Sequence, residues 1–180
     1  MTEDGKDREE LFIPPELKQE RIFNMEGKMD IISTMIEAHI FRETDKGIEF
    51  LLLKRSDNQV YPGLWQMVTG KIKENENAYQ TAIREIKEET GLNPLQLWVA
   101  PTVNSFYEPK GEYICLLPVF AARVESDQIK LSSEHTDYQW VNKSKAQKLL
   151  AWEGQRKAVQ IIEDYLLNEK SFFHFVEIKF

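Results

Sequence analysis

Apolar positions along this chain follow two rhythms. From Ile31 onward they come in short, dense stretches. Ile36, Ala38 and Ile40 alternate with Glu37, His39 and Phe41, a period of two that predicts a strand. Asp45-Lys46-Gly47 is turn chemistry, and Phe50-Leu51-Leu52-Leu53 then reads as the buried partner strand of a hairpin. Ser56–Gly63 is a loop, Leu64–Val68 a short strand and Thr69-Gly70 a turn. The rhythm changes over 77–90, where Ala78, Ala82, Ile83 and Ile86 recur at helical spacing, and Gly91, Leu92 and Pro94 supply the stop.

Strand texture returns in Leu97–Tyr107 and Tyr113–Val124, joined by the turn Glu108-Pro109-Lys110-Gly111. Pro118 lies inside the second of these, which calls for an edge position or a bulge. Tyr138, Trp140 and Val141 suggest one more strand, and Asn142 is placed to cap a short helix through Leu150. Ala158, Ile161, Ile162, Tyr165 and Leu166 predict an amphipathic helix over 153–168. Strands with one helix between them and helices at the end predict an α/β sandwich around a mixed sheet. Three segments are expected: a polar extension over 1–28 with a short helix near 15–22, a domain over 29–169, and an aromatic tail over 170–180. The tail is expected to add a strand or to meet a second copy in a homodimer.

Composition narrows the chemistry. With 180 residues, one domain is enough to bury a core without a staple. The single Cys115 excludes a disulfide framework, and three scattered histidines argue against a histidine metal site. No run is long and apolar enough for a membrane span, and MTEDGKDREE does not resemble a signal peptide, so a cytoplasmic location is expected. The net charge is −7, and residues 1–30 carry −4 of it. Such a surface does not attract a nucleic acid polymer by counterion release; phosphate, if handled, is handled locally.

The segment that carries chemistry is GKIKENENAYQTAIREIKEETGL, residues 70–92. On a helix, Glu85, Glu88 and Glu89 share an arc of roughly 100° that flanks the buried stripe of Ala82, Ile83 and Ile86. Like charges at these spacings repel by a few tenths of a kcal/mol per pair, roughly, when exposed. Arg84 relieves part of this. A hard divalent cation relieves it better, because Mg²⁺ takes a few carboxylates and completes its shell with water and phosphate oxygens. The residues alone also fit a solvated charged face.

The spacing Gly70, Glu76, Arg84-Glu85-Ile86, Glu88-Glu89, Gly91-Leu92 resembles the full signature of the Nudix hydrolases. A chance match in this length is on the order of one in ten million. The order of strands and helices over 31–168 is also similar. The resemblance implies a Nudix-type α/β/α sandwich and a Mg²⁺-dependent enzyme, with Mn²⁺ as a substitute, acting on a small nucleotide-like diphosphate. It implies that Glu85, Glu88 and Glu89 bind metal, that the Gly70 carbonyl joins the shell, that Arg84 orients a glutamate and that Glu76 is structural. Asn75 stands where many members have Gly, and asparagine tolerates the left-handed conformation. Trp65-Gln66-Met67-Val68-Thr69-Gly70 is similar to the branch that cleaves dihydroneopterin triphosphate and deoxynucleoside triphosphates.

Further candidates lie outside the signature. Several family branches place an extra ligand or general base near Leu131–His135, which makes Glu134 the expected acid and His135 a lesser candidate. Tyr61, Trp65, Phe106, Tyr107 and Tyr113 are aromatic residues on which a ring could stack, or core residues. Alternatives within the class are dinucleoside polyphosphates, ADP-ribose and nucleotide sugars. A non-catalytic ligand sensor is the alternative outside it.

Overall fold

The structure is a computed structural model that describes residues 29–126, 128–168, 172 and 176–180. The expected helix near 15–22 lies outside the described residues. The chain divides into two units, Met1–Asp30 and Ile31–Phe180, and the second carries the fold. Its strands are β1 (Asp30–Ile32), β2 (Met35–Thr44), β3 (Gly47–Arg55), β4 (Trp65–Gln66), β5 (Val68–Lys71), β6 (Gln96–Glu108), β7 (Tyr113–Arg123), β8 (His135–Val141) and β9 (Glu177–Ile178). Its helices are α1 (Ala78–Thr90), α2 (Lys143–Leu149) and α3 (Glu153–Asn168).

The sheet runs β4-β3-β2-β7-β6-β9, with β5 beside β2 and β8 beside β3. It is mixed, because β2 pairs with β7 in parallel while its pairing with β3 and β5 is antiparallel. Both faces are covered. Ile36, Ala38, Ile40, Leu51, Leu53, Phe120 and Ala122 pack with Ala82 and Ile86 of α1. The alternate residues Phe41, Phe50, Leu52, Val119 and Ala121 pack with Ala146 of α2 and with Ala158, Val159 and Ile162 of α3. Two covered faces explain why β3 reads as an unbroken apolar run. Each fully buried Leu or Ile contributes about 1.5–3 kcal/mol to this core. This is the expected α/β/α sandwich.

The expected strand and turn over Leu64–Gly70 need correction. The single strand Leu64–Val68 is two strands broken at Met67: β4 pairs with β3, and β5 crosses to β2. Thr69-Gly70 is therefore not a turn. It is the paired centre of β5, with Gly70 opposite Ile36. Pro118 sits in an interior strand, beside a register shift between Val99 and Val103, so a bulge accommodates it. The tail supplies β9, which pairs with Leu97 and Trp98 at the edge of β6.

Candidate active site

The site is built on α1, and both ends of that helix are capped. Asn77 accepts from the backbone N–H of Gln80, and the Gln80 side chain accepts from the Asn77 N–H, a reciprocal capping box. Asn75 takes φ 63° just ahead of it, as its tolerance of that region allows. At the far end Gly91 takes φ 73° and donates its N–H to the Lys87 carbonyl at 2.9 Å. The buried stripe of Ala82 and Ile86 then fixes the rotation of the helix, and with it the carboxylates.

The three acids occupy different environments. Glu88 is half exposed, Glu85 is mostly covered and Glu89 is 4% exposed. The segment before β8 covers Glu89: Lys130 N–H donates to the Thr90 carbonyl and Ser132 N–H to the Glu89 carbonyl. Burial raises the Glu89 carboxyl to about 7, against the opposing bond from His135. Burial also raises Glu85, opposed by Arg84.

Arg84 is the hub of the cluster. Its Nε and Nη2 donate to Glu76 at 2.8 and 2.9 Å, and its Nη1 to Glu85 Oε1 at 2.6 Å and to Glu88 Oε2 at 3.0 Å. Nη2 also donates to the Lys71 carbonyl. The bidentate Arg84 guanidinium pulls the Glu76 carboxyl down to about 2, helped by Thr81, so Glu76 acts as the counter-ion that anchors the hub. A methyl group on Gly70 would overlap Cγ and Oε1 of Glu85. Only glycine lets β5 approach the helix this closely.

His135 reaches the cluster and Glu134 stays at its margin. His135 Nε2 donates to Glu89 Oε2 at 2.8 Å with both side chains buried. When Glu89 is ionised it can only accept, so the proton between them is then on Nε2; His135 Nδ1 is buried without a partner. The Glu134 side chain is exposed, and its backbone carbonyl accepts from the Ser56 N–H. Arg55, on β3 opposite His135, faces both Glu89 and Glu134. It also donates to Gln66 at 2.7 Å, and its Nε is buried without a partner. Arg55 escaped the sequence reading because an arginine at a strand end is unremarkable until the pairing with β8 is known. Of the aromatic candidates, Tyr113 is core, Phe106 and Tyr107 are exposed on β6, and Tyr61 meets Trp152 edge-on at 5.3 Å.

The donor set fits a hard divalent cation: carboxylate oxygens along one helix edge, with a strand backbone held against Glu85 by a glycine. Among the described residues, no three acidic, imidazole or thiol groups already converge in a coordinating arrangement, because Arg84 engages Glu85 and Glu88.

A family model described as NUDIX domain matches residues 35–161. The chain belongs to the Nudix family. It is 31% identical over 131 residues to the dihydroneopterin triphosphate diphosphatase of Haemophilus influenzae, covering 66% of this chain and 78% of that protein. It is equally identical over 141 residues to the asymmetrical bis(5'-nucleosyl)-tetraphosphatase of Mus musculus, covering 74% and 92%. Among solved structures it resembles the MutT protein of Methanosarcina mazei with a TM-score of 0.63 and 30% identity, covering 81% and 99%. As a Nudix hydrolase it acts on diphosphate linkages, and the family generally uses divalent metal ions. Among the described residues no helix is long and apolar enough to cross a membrane.

Proposed function

We propose that this Nudix hydrolase cleaves a nucleoside triphosphate or dihydroneopterin triphosphate to a monophosphate and pyrophosphate, using Mg²⁺ or, in its place, Mn²⁺. The observation that carries the reading is the α1 edge: three carboxylates of graded burial, Glu85 and Glu88 held by Arg84 and Glu89 by His135, with Gly70 pressed against Glu85. The H. influenzae relative supports the substrate class.

Glu85, Glu88, Glu89 and the Gly70 carbonyl would hold the cation. Bound there, Mg²⁺ would supply positive charge against the phosphate oxygens and acidify a water. Arg84 sets the rotamers of Glu85 and Glu88. His135 occupies Oε2 of Glu89, so Oε1 is the oxygen that would serve as a ligand. Glu134 or a helix glutamate takes the proton as the water oxygen bonds to phosphorus. The bridging P–O bond breaks, and its electron pair leaves with whichever of the monophosphate and pyrophosphate the water has not joined. Arg55 adds fixed positive charge beside Glu89 and Glu134.

A second reading, asymmetrical cleavage of a dinucleoside tetraphosphate, is favoured by the extent of the match to the mouse relative. Product analysis on a panel of nucleoside triphosphates, dihydroneopterin triphosphate, diadenosine tetraphosphate and ADP-ribose separates the two. Pyrophosphate from the triphosphates is expected. Turnover confined to the dinucleotides would reject the first reading.

A further inference from the structure

The two edges of β6 are covered unequally. Along one edge β7 pairs with it from Gln96 to Glu108. Along the other, β9 covers only its start: Leu97 lies opposite Ile178, Trp98 opposite Glu177, and the Val99 N–H donates to the Val176 carbonyl. Past that point, among the described residues, no strand pairs with the outer edge. Alternate residues of a strand point their backbone N–H and C=O to opposite sides, so residues 103–108 present a row of donors and acceptors that no strand receives.

The side chains here do not protect the edge. Exposed edges are ordinarily blunted by charge, above all by lysine. From Val99 to Tyr107 the sequence VAPTVNSFY contains no charged residue. Val103, Phe106 and Tyr107 are 59%, 39% and 51% exposed, and none of them belongs to either hydrophobic core. Pairing with β7 is unbroken from Val103 to Glu108, so Val103, Ser105 and Tyr107 share one face and Asn104 and Phe106 the other. Pro101 lies within the register shift before this stretch and does not interrupt it.

The stretch complements itself when turned about a twofold axis perpendicular to the sheet. With the axis at Ser105, each Val103 lies opposite a Tyr107 and each Asn104 opposite a Phe106, while the small Ser105 meets its own copy. A β-branched side chain opposite an aromatic one is a favourable cross-strand pair. Neighbouring registers fit less well. An axis at Asn104 sets Tyr107 against Pro101, which has no N–H to give, and an axis at Phe106 sets Val103 against Pro109 of the turn. Charge favours the same register: the two Glu108 side chains fall about 20 Å apart, each opposite the neutral Thr102.

We propose that this edge is a docking surface for a second copy of the chain. β6 pairs antiparallel with its own copy across Ser105, and the two sheets become one continuous sheet. The occupant is another copy because the window is short and symmetric. β9 closes it at Val99 and the hairpin turn closes it after Glu108, and between those limits the exposed apolar side chains are one another's complements. The contact is small, so association depends on concentration: the chain is single when dilute and paired when concentrated.

The test is sedimentation equilibrium of the full chain from about 1 µM to about 300 µM. The average mass is expected to climb from that of one chain toward that of two. Ser105→Lys sets two ammonium groups against each other at the axis and should raise the dissociation constant about tenfold or more. Ser105 is exposed, so this variant is expected to fold, and a melting curve checks it. Ser105→Cys gives a second readout. Opposed residues of an antiparallel pair lie within reach of a disulfide, and the native Cys115 is buried. Oxidation with diamide should therefore link two Ser105→Cys chains and spare Val103→Cys, whose thiols fall about 14 Å apart. A wild type that stays a single chain over the whole range, or a dimer that Ser105→Lys leaves as tight as before, would overturn the proposal. So would cross-linking of Val103→Cys as fast as that of Ser105→Cys, which would put the axis elsewhere.

Discussion

Glu89 combines a charge that the site needs with a burial that opposes it. Its folded carboxyl titrates near 7, against an ordinary value of 4.5, because burial disfavours the charged form. Between those values the folded protein holds a proton that the unfolded chain has lost, so stability falls as pH rises through this window and then levels. The melting temperature of chelator-treated protein is expected to decline from about pH 5 to about pH 7.5. Glu89→Gln should flatten the decline, and Mg²⁺ should raise the melting temperature more at pH 8 than at pH 5.5. A melting temperature that climbs across the window would contradict the assignment. His135 acts on the same oxygen pair. His135→Ala should raise the Mg²⁺ concentration for half-maximal activity by about tenfold or more, with His135→Gln partly rescuing it, as read from a Mg²⁺ titration and from Mn²⁺ binding by electron paramagnetic resonance. The shared arc of Glu85, Glu88 and Glu89 was legible because helical geometry dictates it. Their unequal burial was not, since it depends on the 128–134 segment folding over the end of α1. The same holds for Glu134 and His135: adjacent in sequence, they point to different places once β8 pairs with β3.

At the scale of elements, α1 depends on its caps and on the strand in front of it. Asn77→Ala removes the capping box and should cost about 1 kcal/mol in a urea titration. Gly70→Ala is expected to do more harm to activity than to folding, because the added methyl displaces the Glu85 side chain. Steady-state rates beside a circular dichroism spectrum distinguish the two effects. The helices were the most legible elements, with periodicity, an N-cap asparagine and a left-handed glycine all in agreement. The Leu64–Lys71 segment misled, because Thr-Gly is turn chemistry locally and becomes strand only through pairing with β2. The start of β8 was hidden for a related reason: His135, Thr136 and Asp137 are polar, and backbone pairing with β3 makes them strand.

For the whole molecule, the sandwich could be anticipated from the order of elements, whereas the strand order could not. The parallel contact between β2 and β7 joins segments some eighty residues apart, and nothing local announces it. The tail belongs to this scale. β9 completes the edge of β6, and Ile178 packs on the α1 side of the core. Removal of residues 176–180 should lower the melting temperature by several degrees, roughly, and expose a sheet edge that promotes aggregation. The surface charge is modest outside the first thirty residues, which leaves phosphate recognition to α1, Arg55 and the cation they would hold. The most direct measurement is ³¹P NMR of the reaction in ¹⁸O-water, with a nucleoside or pterin triphosphate and Mg²⁺, for the wild type and Glu88→Gln. Expected are a monophosphate and pyrophosphate with label in one of the two, no products after chelation, and a rate about a hundredfold or more lower in the variant. Turnover that survives chelation, or a Glu88→Gln rate equal to that of the wild type, would contradict a metal-dependent phosphoanhydride hydrolase built on this helix.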